Sequence, residues 1–219
     1  MGKKLFLIHT VNWFMDLIVK PFIAPVLERH PDLEVYNLLD DSLLVESVRE
    51  GAATANVRRR VVDYCFMAEN AGADAIMVTC TSVNEASKIA RTMMRTPVFN
   101  IDEPMAKEAI MAGNKFGIIG SVPTSPLATE RLLLEAATNA KKEIDIRIVV
   151  REDAFEALLA GRTDDHNAII ATEMDKLAKE VDAILLGQIS LARITHDPGK
   201  PVFKVGESGY LEAERILFG

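Results

Sequence analysis

The sequence predicts an α/β protein of two pseudo-symmetric lobes, each a mostly parallel four-stranded sheet flanked by helices. Apolar runs of strand length alternate with amphipathic stretches of helix length along the chain. This order is typical of a parallel sheet with helices on both faces. The second half then repeats the first, down to phrases such as "GADAIMVTC" and "VDAILLGQ". A repeat of the whole order indicates two similar lobes rather than one large sheet.

The first lobe is predicted to span residues 1–104. Its strands are predicted from apolar, β-branched runs at Met1–Ile8, Asp32–Asn37, Ala73–Thr79 and Pro97–Ile101. Helical spacing of apolar residues predicts a helix-like run from Asn12 to His30, a long helix over Thr54–Asn70, and a helix that starts after Ser82. Each strand is therefore followed by a helix that can carry the chain back to the start of the next strand.

The second lobe is predicted to span residues 105–208. Its strands are predicted at Lys115–Gly120, Ile144–Val150, Ala183–Gly187 and Pro201–Val205, and its helices at Leu127–Ala140 and Asn167–Glu180. Details of the repeat agree as well. Asp74 precedes Cys80 by six residues, and Asp182 precedes Gln188 by six. "TPVFNIDEPMAKEAI" is echoed by "KPVFKVGESGYLEAERI".

Composition excludes several classes of protein. The net charge of −7 over 219 residues does not favour nucleic acid as a partner, because that needs a clustered positive face. No apolar run reaches the roughly 20 residues of a membrane helix, and no signal peptide is visible. The two cysteines do not form a disulfide framework, and Cys65, in an amphipathic helical pattern, is interpreted as a buried structural thiol. These features predict a cytoplasmic protein.

Polar side chains follow the predicted strands, and ligands of parallel sheets bind beyond the carboxyl ends of the strands. In a pseudo-symmetric pair of lobes, the two sets are expected to line one cleft. No metal-ligand cluster, P-loop or GxGxxG fingerprint is present, so no metal and no cofactor is expected. The residues at these strand ends are His9, Thr10, Asn12, Cys80, Thr81, Ser82, Ser121, Thr124, Gln188 and Ser190.

Among these residues, Cys80 has the most specific predicted chemical role. It lies at a strand end, before a predicted helix, where unpaired N–H groups lower the pKa of a thiol and can also bind a carboxylate. A thiolate beside a bound carboxylate can remove or deliver a proton at the adjacent carbon. The alternative interpretation is a polar turn, "TCTS", that holds a small buried cysteine.

The phrases "GADAIMVTCTSV", "FGIIGSVPTSP" and "DAILLGQISLA" resemble the aspartate/glutamate racemase superfamily, and the resemblance covers essentially the whole chain. It implies two α/β lobes with the site between them, no PLP and no metal, and a last helix, Tyr210–Leu217, that packs on the first lobe. Two cysteines act as paired acid and base in family racemases, and Cys80 matches the first. The resemblance further implies carboxylate-binding roles for Thr81, Ser82, Ser121 and Thr124, and weaker matches at His9, Thr10 and Asn12.

The chain departs from the family at the second cysteine, which is Gln188 here. An amide cannot take up or release a proton near neutral pH, although it can hydrogen-bond a carboxylate. Four options stay open: His9 or His196 supplies the second base, the reaction needs only one acid or base, Cys80 is a nucleophile, or catalysis is lost.

The expected activity is that of a cofactor-independent racemase or isomerase acting next to a carboxylate of a small acid, such as an amino acid or hydantoin. A one-thiol decarboxylase of the arylmalonate type and a non-catalytic carboxylate-binding protein are the alternatives. The oligomeric state stays open, with a homo-oligomer among the options.

Overall fold

The computed structural model describes residues 2–12 and 20–219. The chain divides into two compact units. Unit 1 is made of Met1–Pro104 and Gly206–Gly219, and unit 2 of Met105–Val205. Met1 and the beginning of the helix-like run predicted from Asn12 lie outside the described residues. No helix in the described ranges is long and apolar enough to cross a membrane.

Unit 1 contains a parallel sheet in the strand order β2-β1-β3-β4. Its strands are β1 (Lys4–His9), β2 (Glu34–Leu39), β3 (Ala75–Val78) and β4 (Val98–Asn100). Its helices are α1 (Lys20–Arg29), α2 (Ser42–Glu50), α3 (Ala55–Asn70), α4 (Asn84–Arg91) and α9 (Glu207–Phe218), and α5 (Glu103–Ala109) begins at its boundary.

Both faces of the two central strands are buried, which explains why β1 and β3 read as continuous apolar runs rather than alternating ones. Alternate residues of the strands, such as Phe6, Ile8 and Ile76, pack in one cluster with Val57 and Val61 of α3. The C-terminal helix α9 contacts β3 and α1.

The place of α9 within unit 1 depends on a close approach at Gly209. A Cβ atom there would lie 2.6 Å from Ile101 Cγ1 and 2.8 Å from the Ile101 carbonyl oxygen. Two further contacts hold the helix: the Tyr210 ring stacks on Phe22 at 6.1 Å, and Glu214 accepts a hydrogen bond of 2.7 Å from Arg29. The beginning of α9 is thereby fixed against the segment that follows β4.

Unit 2 contains a second parallel sheet, in the strand order β6-β5-β7-β8. Its strands are β5 (Lys115–Gly120), β6 (Asp145–Val150), β7 (Ala183–Leu186) and β8 (Val202–Lys204). Its helices are α6 (Thr124–Ala140), α7 (Glu152–Leu159) and α8 (Thr163–Leu177). The predicted α/β class with two four-stranded, all-parallel sheets flanked by helices is confirmed.

The repeated aspartate has the same structural role in both units. Asp74 Oδ2 accepts a hydrogen bond of 2.8 Å from the backbone N–H of Lys4, at the start of β1. Asp182 Oδ2 accepts bonds of 2.9 Å from the N–H groups of Asn114 and Lys115, at the start of β5. These bonds lower the pKa of Asp182. Each aspartate therefore fixes the register of its third strand against its first.

Several element boundaries differ from the prediction, for local reasons. The Thr54 hydroxyl caps α3 by accepting from the Val57 N–H at 3.1 Å, so the helix proper begins at Ala55. Helix α8 begins at Thr163 and ends at Leu177, both earlier than predicted from the apolar pattern. Helices α2, α5 and α7 were not predicted. Each is short, and each follows its strand without a glycine or proline break.

Candidate active site

The candidate residues lie at the carboxyl edge of each sheet, beside the strand pair at which the strand order reverses. In unit 1 this pair is β1 and β3, with Ile8 opposite Val78, so Thr10 and Cys80 follow their strands at the same level. In unit 2 the pair is β5 and β7, with Ile119 opposite Leu186. Open parallel sheets bind ligands at this switch point.

Cys80 is extended (φ −130°, ψ 120°) and precedes a 3₁₀ turn at Thr81–Val83. Its thiol is hydrogen-bonded by the Thr10 side chain and by the backbone N–H groups of Ser82 and Val83, all of which favour the thiolate. Only 8% of the residue is exposed, and burial, the largest influence, raises the pKa of Cys80 nevertheless. The prediction of a lowered pKa is therefore wrong, because the depth of burial outweighs the donors at the turn.

Asp102 is a further buried acid at this edge, which the sequence analysis did not single out. It is 0% exposed, and its Oδ2 accepts a 3.1 Å hydrogen bond from Asn84 Nδ2. Burial, the largest influence, and the nearby charge of Glu103 raise the pKa of Asp102 to about 7. The charge of Asp102 in turn raises the pKa of the Cys80 thiol. An aspartate directly after the fourth strand, in "VFNIDEP", was the available signal.

His9 lies at the same strand edge but is engaged within unit 1. The Thr79 hydroxyl donates to the Ile8 carbonyl at 3.0 Å and lies 2.8 Å from His9 Nδ1. The other ring nitrogen, Nε2, hydrogen-bonds with the Asn37 side-chain amide at 2.9 Å. The ring is fully buried, and burial lowers the pKa of His9. This arrangement suits a neutral ring that holds the residue before Cys80 better than a base that exchanges protons with a substrate.

The remaining unit 1 candidates divide by exposure. Thr81 is 3% exposed, and its hydroxyl has no hydrogen-bond partner among the described residues. Ser82 is 4% exposed and contributes its backbone N–H to the thiol. Asn12 is exposed. Thr10, which the sequence analysis ranked low, is the residue of this loop that reaches the thiol.

Gln188 occupies in unit 2 the position that Cys80 occupies in unit 1. Its Oε1 accepts hydrogen bonds from the backbone N–H groups of Ser121 at 3.0 Å and Val122 at 3.2 Å, and its Nε2 donates to Ser190 Oγ at 2.8 Å. The N–H groups of the loop that was predicted to bind an anion therefore already donate to an acceptor of the chain itself, the Gln188 amide oxygen. Sequence reasoning could identify the position of Gln188 but not these partners.

The hydroxyl groups around Gln188 are buried at the start of α6. Ser121 is 1% exposed, and within the part of the chain that the structure describes its hydroxyl has no hydrogen-bond partner. Thr124 is 4% exposed and is the first residue of α6. The structure thus brings Ser121, Gln188 and Ser190 into one hydrogen-bonded group. His196 is separate from it and bonds Asp175 at 2.7 Å at the surface.

We expect Gln188→Ala to lower the free energy of unfolding by about 2–4 kcal/mol, because two buried N–H groups lose their acceptor. Equilibrium unfolding in urea measures this change. Gln188→Glu is the matched control, since its carboxylate keeps an oxygen for the same N–H groups and should retain most of the stability. A loss of less than about 0.5 kcal/mol for the alanine variant would show that the bonds from Ser121 and Val122 to the Gln188 oxygen contribute little to stability.

We expect iodoacetamide at neutral pH to label Cys80 before Cys65. Cys65 lies in α3 with 0% exposure, and burial raises the pKa of its thiol to about 12. Cys80 is partly accessible and has donors that stabilise its thiolate. Peptide mass mapping over time measures the order, and urea-unfolded protein, in which both thiols should react alike, is the control. Faster labelling of Cys65 would show that the reactive thiol is wrongly assigned.

No cluster of three or more His, Cys, Asp or Glu side chains that could hold a metal ion occurs within residues 2–12 and 20–219. Comparison with known proteins gives one family. The family model described as Asp/Glu/Hydantoin racemase matches residues 14–205. No curated protein matches the sequence.

Solved structures with the same fold are distant in sequence. Glutamate racemase from Thermus thermophilus, in complex with beta-chloro-D-alanine, superposes with a TM-score of 0.72 at 19% identity, over 99% of this chain and 80% of that one. Aspartate racemase from Picrophilus torridus gives 0.68 at 15% identity, over 98% and 95%. Allantoin racemase from Klebsiella pneumoniae gives 0.65 at 18% identity, over 98% and 87%. At these identities the likeness concerns the fold.

Proposed function

The chain belongs to the Asp/Glu/hydantoin racemase family and is an isomerase, and we propose that it uses the Cys80 thiol to transfer a proton at the carbon next to a carboxylate of a small acid. The observation that carries this proposal is the set of donors around the thiol, from the Thr10 side chain and the N–H groups of Ser82 and Val83. A sulfur atom held by three donors can exist as a thiolate inside the protein.

The raised pKa of Cys80 is compatible with this role. A carbon next to a carboxylate is a weak acid, and a buried thiolate is a stronger base than a hydrated one, because it has lost its water shell. The same thiol, when protonated, is a ready proton donor for a carbanion on the same side. One sulfur atom can therefore serve as both base and acid on one face of the substrate, provided that binding brings the carbon next to the carboxylate into contact with it.

The substrate class is proposed from the hydroxyl groups. Thr81 and Ser121 each carry a buried hydroxyl that has no partner among the residues described, and each can donate to a ligand oxygen. Thr81 directly follows the thiol in the chain. We take the substrate to be a small carboxylic acid, with an amino acid, a hydantoin or a malonate as the candidates, and each of these hydroxyl groups to be a donor available to a carboxylate.

Gln188 stands at the position of the second family cysteine but cannot supply a second acid or base. Its amide has no titratable proton near neutral pH, and its oxygen already accepts from Ser121 and Val122. We therefore propose proton transfer chiefly from the Cys80 side. A decarboxylation, which also needs only one proton donor, is the second activity that this arrangement favours.

The test is a screen in heavy water. The protein is incubated with amino acids of both hands, hydantoins and malonates, and solvent deuterium at the carbon next to the carboxylate is measured by proton NMR. We expect deuterium in at least one acid with wild-type protein, and none with Cys80→Ser. Deuterium uptake that is equal in the two proteins would overturn the role of the thiol, and carbon dioxide release from a malonate would identify the decarboxylase.

A further inference from the structure

Two buried acidic groups, the Cys80 thiol and the Asp102 carboxyl, lie at the ends of neighbouring strands of the unit 1 sheet. Strands β3 and β4 run parallel with Val78 opposite Asn100, so Cys80 and Asp102 each lie two residues beyond this pair. Both are buried, at 8% and 0% exposure. Asn100 Nδ2 also donates to the Cys80 carbonyl at 3.2 Å, which ties the two strand ends together.

The carboxyl group of Asp102 is only partly satisfied. Oδ2 accepts from Asn84 Nδ2, at the first residue of α4, whereas Oδ1 has no hydrogen-bond partner among the described residues. A buried carboxylate without full hydrogen bonding is costly, and protonation removes that cost. The pKa of Asp102, raised to about 7, agrees with this geometry.

We propose that Asp102 is a positioning residue for Cys80, and that the two buried acids carry one negative charge between them, so that loss of the Asp102 charge permits the Cys80 thiolate to form. The physical reason is repulsion: two negative charges in one dry site cost far more than one. When Asp102 is ionised the thiol keeps its proton, and when Asp102 is protonated the thiolate is supported by its own N–H donors. The ionisation of Cys80 therefore depends on the charge of Asp102.

Other charges near Asp102 act in both directions. Glu103 raises the pKa of Asp102, whereas Lys88 on α4 lowers it. Glu103 is itself paired with Arg91 at 2.6 Å.

Among the described residues, the groups that hydrogen-bond the thiol are uncharged. Strand β1 contributes the Thr10 hydroxyl to the thiol and the buried His9 ring, whose pKa is lowered by burial. The 3₁₀ turn contributes the Ser82 and Val83 N–H groups. Asp102 is the charged group whose removal should change the ionisation of Cys80 most.

This inference rests on the proposed function only for its catalytic meaning, because its test needs no substrate. We expect Asp102→Asn, which keeps the shape of the side chain and removes the charge, to move the pH profile of Cys80 alkylation about one pH unit lower, a gain on the order of tenfold in rate at neutral pH. Asp63→Asn, an exposed carboxylate on α3, is the matched control and should leave the profile unchanged. An unchanged profile in Asp102→Asn would overturn the coupling.

Reciprocal linkage provides a second test, which does not depend on the stability of the Asp102 variant. Carbon-13 NMR of labelled aspartate carboxyl groups follows the titration of Asp102 directly. Under the proposal, the Asp102 resonance of the wild type shifts a second time at higher pH, when Cys80 ionises beside the carboxylate, and Cys80→Ala removes this second step. An identical Asp102 titration in the wild type and in Cys80→Ala would contradict the shared charge, whether or not any acid exchanges deuterium.

Discussion

Replacement of Cys80 by alanine is expected to reduce proton transfer to the substrate by a factor of about 10²–10⁴, the usual contribution of a positioned acid or base. The reason is that Cys80 is the group at the β1–β3 edge with donors aimed at its ionised form, from Thr10 and from the N–H groups of the following turn. The rate of solvent deuterium uptake by the substrate found in the heavy-water screen measures the effect.

Two controls make the Cys80 result specific. Cys65→Ala removes the other thiol, which is fully buried in α3, and should leave deuterium uptake within a few-fold of wild type. Equilibrium unfolding of both variants separates loss of chemistry from loss of fold. Retention of more than a tenth of the wild-type rate in a folded Cys80→Ala protein would exclude the thiol as the acid or base.

The second large effect is expected from Gln188→Cys, which restores the second cysteine that the family resemblance implies and should increase inversion of the substrate by about 10² by supplying a second base. The substitution removes Gln188 Oε1, which now accepts from the N–H groups of Ser121 and Val122, and leaves these donors beside the shorter cysteine side chain. Those donors can stabilise a thiolate, as the turn after Cys80 does in unit 1. Polarimetry or chiral chromatography follows the rate of inversion.

Gln188→Ser is the matched control, since it is close to cysteine in size and lacks an ionisable sulfur. It should leave inversion at the wild-type rate. The double variant Cys80→Ala/Gln188→Cys should again lose inversion, because two-base exchange needs both groups. Equal rates in Gln188→Cys and Gln188→Ser would mean that a thiol at position 188 takes no part in proton transfer.

Much of the fold could be predicted because it depends on patterns that the sequence carries locally. Buried parallel strands read as apolar runs, and the repeated aspartates Asp74 and Asp182 mark equivalent strand starts, where both accept backbone N–H bonds. Helices α2, α5 and α7 were missed because a short helix has few turns in which periodicity can show. Boundaries such as that of α8 shifted because the pattern of apolar residues does not specify where a helix ends.

The candidate site could be predicted in position but not in its electrostatics. The place of Cys80 follows from the strand that precedes it, and the donors of its turn follow from that place. The sign of its pKa shift does not, because burial comes from residues distant in the chain. Asp102 was missed for the same reason: an aspartate after a strand is common, and only its complete burial distinguishes it. The bonds of Gln188 to Ser121 likewise depend on packing between β5 and β7.

The central claim is proton transfer by one thiol from one face of the substrate, and the ratio of exchange to inversion in the wild-type protein tests it most directly. A single enantiomer of the exchanging acid is incubated in heavy water, and both deuterium content and optical purity are followed in the recovered substrate. The account predicts that deuterium enters at least tenfold faster than the opposite enantiomer accumulates, because Cys80 returns deuterium to the face from which it took hydrogen. Equal rates of deuterium entry and inversion would contradict the account, since a second base would then act on the face opposite Cys80.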